Sequence, residues 1–215
     1  FILLVTVVMV KATGSYIYLV YGILTMLVAK WLRTSFPLVL LIVILSSYLY
    51  MGMTGSFSGE QADRIIAVSN QIAGPDRAQS LEFRLDNEEI LGEKARERFI
   101  FGWGGYGRNR VFDYNWAGEL VDITVTDSLW IIAFGINGAI GAVSIFGSAL
   151  ITSFSFLWLR YPATTWLSPK VAPAAMLATI TVLYMLDCSL NNQPNPVFTL
   201  ASGGVAGLVM SPPEK

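Results

Sequence analysis

The chain has no histidine and a single cysteine, Cys188, among its 215 residues. Lack of histidine removes the commonest general base near neutral pH and the commonest metal ligand from any mechanism. One cysteine excludes an intramolecular disulfide, and no CxxC or Cys/His spacing offers a zinc site. Charge is also scarce. Only 13% of the residues are charged against 54% hydrophobic, where a soluble domain carries roughly 25% charged. A formal net charge of −1 with no basic run argues against nucleic-acid binding. The N-terminus shows neither the basic start nor the small-residue cleavage site of a signal peptide. Phe1 stands inside an apolar run and reads as an internal position, so the chain is expected to be the C-terminal part of a longer membrane protein.

What charge there is lies in one place. Between Thr54 and Asp127 stand 21 of the 29 charged residues, 13 acidic and 8 basic. That split excludes a simple soluble globule and predicts apolar spans on either side of one large polar segment. A spanning helix needs about 20 mostly apolar residues. Phe1–Val10 is too short and looks like the cut end of one. Ser15–Ala29 and Phe36–Met53 follow, the latter with Ser35 and Pro37 at its start, where proline's missing N–H costs little. Beyond the polar segment, Leu129–Leu159 is too long for one untilted span, and the Gly135–Gly138 step divides it into a short interfacial piece and a span from about Ala139. Ser168-Pro169 and Asn195-Pro196 are cap-plus-N1 pairs opening helices over 171–188 and 196–210. The expected fold is all-α, a polytopic membrane helix bundle of about five to six spans with one large extracytoplasmic loop containing amphipathic helices. Its regions are 1–53 (spans), 54–127 (loop domain) and 128–215 (an interfacial helix and about three spans).

Orientation follows from the Lys and Arg of short loops. If the spans alternate, Lys30, Arg33, Arg160, Lys170 and Lys215 share one side and only Lys11 the other. The first group then faces the cytoplasm, and the segment 54–127 faces the periplasm or exterior.

Within that segment, Ala78–Phe99 predicts a helix with Leu81, Leu85, Leu91, Ala95 and Phe99 near one stripe. Glu60–Ile72 is a weaker helix, with Glu60 and Arg64 at the favourable i,i+4 spacing, and Gly74-Pro75-Asp76 is a turn. Phe101–Arg110 interleaves four glycines with aromatics and ends in Arg108 and Arg110. Two readings stay open for it. One is an interfacial aromatic belt with snorkelling arginines. The other is a site in which arginine forks bind phosphate, glycine backbone supplies N–H donors, and Trp103 and Tyr106 stack on sugar rings.

The order of features carries a resemblance. A span leads to a polar segment with Arg84 in EFRLDNEEILGEKARERFIFGWGGYG, then TVTDSLWIIAFGINGAIGAVSIFG, then a span. This resembles, over residues 36–160, the C-terminal half of the bacterial O-antigen ligase/polymerase family of membrane glycosyltransferases. Arg84 stands at that family's loop arginine, Phe99–Gly104 at its glycine turn, Thr126–Leu129 at its histidine motif, and Gly135, Gly138 and Gly141 at its glycine step. Three departures stand out. Phe99 replaces a frequent proline, Ser56-Phe57 replaces a Ser-Arg pair unless Arg64 serves instead, and Asp127 occupies the histidine position. Either a carboxylate does the histidine's work here or the chain is a divergent or inactive relative.

The resemblance implies a metal-independent enzyme without cofactor that transfers a glycan from a polyprenyl diphosphate to a hydroxyl, at the outer face of a bacterial inner membrane. Its partners would be the bilayer, the lipid-linked glycan, an acceptor glycan or lipid, and polysaccharide assembly proteins. Arg84, Arg108 and Arg110, with Arg64 behind them, are candidates to neutralise the diphosphate. Asp127 is the candidate base, with an N-cap role beside it. Asp187, near a span end, reads as a solvated helix terminus, and Gly135, Gly138, Gly141, Gly147, Gly203 and Gly207 as helix-packing positions. The rival readings are a non-enzymatic polysaccharide export component, which accounts for the missing histidine, and a structural subunit that only docks a partner.

Overall fold

A computed structural model of the chain describes residues 5–6, 9, 13–56, 59–105, 107–125 and 127–211. The cut helix expected over Phe1–Val10 lies largely outside the described residues. The rest is mostly helical: α1 Thr13–Leu32, α2 Phe36–Thr54, α3 Gly59–Ala73, α4 Pro75–Arg96, α5 Leu129–Phe154, α6 Ala172–Leu190 and α7 Pro196–Met210, with a small hairpin of β1 Phe112–Tyr114 and β2 Leu120–Asp122 before α5.

Among the described residues, four helices are long and apolar enough to cross a membrane, namely α1, α2, α5 with its continuation to Arg160, and α6. This is consistent with a multi-pass membrane protein. The 19 or 20 residues of α1, α2 and α6 reach about 30 Å at 1.5 Å per residue, the thickness of a hydrocarbon core. With 15 residues, α7 falls short of that length, and the truncated first span among the five to six expected lies largely outside the described residues. The stop has a local cause: Ser211 precedes Pro212 and is extended, with φ −67° and ψ 142°, since proline disfavours helical backbone in the residue before it. At the other end, the Asn195 side chain accepts from the Val197 N–H at 3.0 Å, the cap expected from Asn-Pro. At the start of α2 the Ser35 carbonyl accepts from the N–H groups of Leu38 and Val39, both at 3.1 Å, as its place before Phe36-Pro37 led one to expect, while the Phe36 N–H is taken by Thr34 Oγ1 at 3.1 Å.

The chain forms two compact units. One comprises residues 1–44, 148–187 and 195–215. Its helices pack through small residues and a few polar bonds. Leu183 touches the position a Cβ on Gly22 would take, at 3.2 Å, the Tyr21 hydroxyl donates to the Pro37 carbonyl, and Tyr184 stacks on Phe198 at 3.9 Å. Past Phe154 the helix widens into a π-turn over Ser155–Arg160, closed by the Tyr161 N–H on the Phe156 carbonyl.

The other unit comprises residues 45–147 and 188–194, with Leu45, Leu91, Ala95, Trp130, Phe134 and Phe146 buried in it. It contains the polar segment. α3 and α4 form a helical pair separated only by Gly74, whose φ of +86° allows Pro75 to open α4 at once. Phe99 falls in the turn after α4 and stands edge-on to Phe134. The hairpin was not foreseen from composition. Asn115 makes it, its side-chain oxygen accepting from the N–H groups of Ala117 and Glu119, so that Phe112 pairs with Asp122 and Tyr114 with Leu120.

The glycine turn and α5 are joined backbone to backbone. Trp103 and Gly104 donate to the carbonyls of Gly135 and Ile136 at 2.8 and 2.9 Å, and Ala139 donates to the Phe99 carbonyl at 2.7 Å. The exchange requires a break in α5 at Gly138, with φ 66° and ψ −167°, a backbone region essentially reserved for glycine. The break falls within the step at which the sequence divides this helix. The contact differs from expectation, because the glycine step receives a loop rather than another helix. A methyl group at Gly138 would strike the Ile100 carbonyl, and one at Gly102 would lie 2.5 Å from the Ile136 oxygen. Gly138→Ala is therefore expected to destabilise the protein by at least about 1–3 kcal/mol from backbone strain alone, read as a lowered unfolding midpoint in detergent, whereas Gly203→Ala, which meets nothing within 4 Å, leaves it unchanged.

Candidate functional site

Two of the residues singled out in the sequence come together. Arg84 Nε lies 4.0 Å from Asp127 Oδ2, both side chains partly exposed. Such a pair contributes little to stability, about 0–1 kcal/mol, so its interest is position. Asp127 is held there by its neighbours. Two residues earlier, the Val125 N–H donates to Asn87 Oδ1 at 2.7 Å, while the Asn87 amide itself donates to the Phe83 carbonyl. One residue later, the Ser128 hydroxyl donates to Glu88. Ser128 occupies the N-cap position of α5, with its carbonyl accepting from Ile132, while its side chain is committed to α4.

Glu88 is the centre of the arrangement. It follows Arg84 by four residues, hence on the same face of α4. Its carboxyl is largely buried. Oε1 accepts from Ser128 and from Trp130 Nε1 at 3.1 Å, and Oε2 from the Tyr48 hydroxyl at 2.5 Å. The donors come from α2 and from the start of α5, so one carboxylate ties three helices. Burial pushes its pKa up, and the bonds from Ser128, Tyr48 and Trp130 together with the charge of Arg84 oppose that rise without cancelling it. Beside it opens a recess of about 80 Å³ lined by Tyr48, Gly52, Glu88, Glu89, Arg96 and Trp130, among others. Trp130 fits against Gly52, where any Cβ would meet the indole at 2.7 Å, and the Arg96 guanidinium donates to the Gly52 carbonyl.

The remaining sequence candidates lie in other surroundings. Arg64 makes an exposed i,i+4 pair with Glu60 at 2.6 Å. Arg110 pairs with Asp122 at the end of the hairpin. Burial of the Asp122 carboxyl acts against ionisation, but the Arg110 and Thr124 hydrogen bonds outweigh it and the pKa is lowered. Arg108 is exposed in the turn. Trp103 donates its indole N–H to the Lys94 carbonyl, with Lys94 Nζ 4.0 Å from its ring centre and the Arg98 guanidinium carbon 4.6 Å away. Tyr106 lies outside the described residues. The N–H groups of Trp103 and Gly104, part of the expected glycine-loop donor set, are spent on α5.

Glu88, Tyr48, Ser128, Trp130, Asn87 and Arg96 were not singled out from sequence. A signal for Glu88 was present. Leu81, Leu85, position 88, Leu91 and Ala95 follow i, i+4, i+7, i+10, i+14, so Glu88 is a carboxylate set in the apolar stripe of α4. No sequence pattern marks the donors, which come from 40 residues away on either side.

No family model matches the chain, and neither a curated protein nor a solved structure does.

A raised carboxyl pKa has a thermodynamic sign. Between the ordinary carboxylate value and the raised one, the folded protein binds more protons than the unfolded chain, so stability falls as pH rises through that window. Glu88→Gln cannot titrate. The unfolding midpoint of the wild type in detergent, compared with Glu88→Gln from about pH 4 to about pH 8, should show the wild type losing relative stability as pH rises. A constant difference across the range would assign Glu88 an ordinary titration.

Proposed function

We propose that this chain is part of a multi-pass bacterial inner-membrane glycosyltransferase of the O-antigen ligase/polymerase kind, transferring a glycan from a polyprenyl diphosphate to a sugar hydroxyl on the extracytoplasmic side. The observation that carries the reading is the approach of Arg84 to Asp127 one helical turn from the buried Glu88. A permanent cation and carboxylates meet in a polar segment flanked by helices apolar enough to span a bilayer. A lipid-anchored diphosphate would present its charged group in such surroundings.

The chemistry has two requirements. As the anomeric C–O bond breaks, its electron pair leaves on the diphosphate, and Arg84 stabilises that charge. At 4 Å and an effective dielectric of about 20, one such charge pair is worth on the order of 4 kcal/mol, enough for a large rate effect. The acceptor hydroxyl meanwhile loses its proton as its oxygen bonds to the anomeric carbon, and a carboxylate takes it. Asp127 holds the position of the family's histidine. Its carboxyl faces Arg84, so it also aims the guanidinium.

The test is complementation of a deletion of the chain's own gene with wild type, Arg84→Ala or Asp127→Asn, followed by profiling of surface glycan length and of lipid-linked oligosaccharide. Both variants are expected to insert normally, leave short or unligated glycans, and accumulate the lipid-linked donor. Export blocked with glycan length normal would favour the non-enzymatic export reading instead. Full complementation by both would remove these residues from the site.

A further inference from the structure

We infer that the recess beside Glu88 receives the hydroxyl edge of the acceptor sugar, and that Glu88 takes the proton from that hydroxyl. The inference rests on the transferase reading above and settles which carboxylate is the base: Glu88 takes the proton, and Asp127 keeps only the role of aiming Arg84. A carboxylate offers about four lone-pair positions. Two on Oε1 are taken by Ser128 and Trp130, and one on Oε2 by Tyr48, which leaves one position on Oε2 for a further donor, on a carboxyl that lines the recess.

The recess suits a hydroxyl-bearing group. Its 80 Å³ would hold several waters at about 10–15 Å³ each, room for the polar edge of a sugar ring but not for a lipid chain. Asp86, Glu88 and Glu89 accept from hydroxyls, and Arg96 donates to ring or hydroxyl oxygens. Three carboxylates against one guanidinium disfavour a diphosphate there, which leaves that group to Arg84. Arg84 and Glu88, four residues apart, have Cβ atoms about 5–6 Å from each other, a spacing that lets one hold the leaving oxygen and the other the incoming oxygen of a single anomeric carbon. Ser128 is only 1% exposed and cannot meet a substrate, and Asp127 is not among the residues lining the recess.

The step balances. The hydroxyl proton passes to Glu88, its oxygen bonds to the anomeric carbon, the bond to the diphosphate breaks with its electrons on phosphate, and Glu88 later returns the proton to water. The titratable and charged groups around Glu88 are Tyr48 from α2, Arg84, Asp86, Glu89 and Arg96 from α4, and Asp127 ahead of α5. From α3 the recess is lined by Gly59 and Ala62, which carry none.

The experiment uses the full-length protein in liposomes, with lipid-linked oligosaccharide from the host as donor, a panel of mono- and disaccharide acceptors, and farnesyl diphosphate as a binding probe for the donor side. Glu88→Gln is expected to lower kcat about 10²- to 10⁴-fold and to abolish the acid limb of the pH profile, while farnesyl diphosphate binding stays unchanged. Tyr48→Phe removes one donor to the carboxylate, so its acid limb should move to higher pH. Wild-type turnover in Glu88→Gln overturns the inference. So does loss of farnesyl diphosphate binding together with turnover, which marks a collapsed site, or an acid limb unmoved in Tyr48→Phe. A wild type that binds farnesyl diphosphate yet transfers to no acceptor overturns the transferase reading itself, and the role of Glu88 with it.

Discussion

A carboxylate withdrawn from water keeps its place in a fold only if donors surround it, because an unpaired buried charge costs several kcal/mol. Glu88 meets that condition with three neutral donors, Tyr48, Ser128 and Trp130, and the local structure follows from it. Tyr48 fixes the last turns of α2 against α4, and Ser128 and Trp130 fix the first turn of α5. Because Asp127 precedes Ser128 and Arg84 precedes Glu88 by one turn, the Arg84–Asp127 pair is positioned by a bond that neither member makes. Asn87 secures the same stretch from the other side through Val125. Successive residues of α4 thus hold the chain that enters α5 at two points.

The second constraint is the junction of the Phe99–Gly104 turn with the break in α5. Here backbone N–H and C=O groups satisfy one another across two segments that side chains would keep apart, and Gly102 and Gly138 are the positions where no Cβ fits. Gly102 in this turn therefore serves close approach of protein to protein. A phosphate cradle needs the same residue type but leaves its N–H groups open, and those of Trp103 and Gly104 are not. Composition alone cannot separate the two uses, since both require glycine for the same steric reason.

Much of the helical framework is legible in the sequence, because its signals are local. Long apolar runs mark α1, α2 and α6, and Asn195-Pro196 marks the start of α7 where an asparagine cap forms. The Gly135–Gly138 step marks the break in α5. The hairpin is less legible: it depends on Asn115 folding back on two N–H groups, a turn whose strands are only three residues long and carry no alternation. At the site, Arg84 and Asp127 are legible through the resemblance, and they do approach each other. Glu88 is harder to see, although it interrupts the stripe Leu81, Leu85, Leu91, Ala95, because it is one of four acids between Asp86 and Glu93. Only the tertiary placement of Tyr48 and Trp130 distinguishes the one that is buried.

If Glu88 is the base inferred above, the nature of its partners bears on how a chain without histidine would run base chemistry. Had an arginine bonded this carboxyl directly, the pair would favour the charged form strongly and weaken it as a base, and a cation needed for phosphate would be consumed. Hydroxyl and indole donors hold the carboxylate in place while burial still raises its pKa. Arg84, one turn away, is turned toward Asp127. Under the proposed reading, the two functions that a diphosphate-leaving transfer requires, a fixed positive charge and a competent base, would be kept apart on one helix face. Histidine combines a titrating base and a cation in one side chain. Under the proposed reading, dividing those properties between Glu88 and Arg84 gives each its own surroundings, and the i,i+4 spacing of α4 would keep both within reach of one substrate carbon.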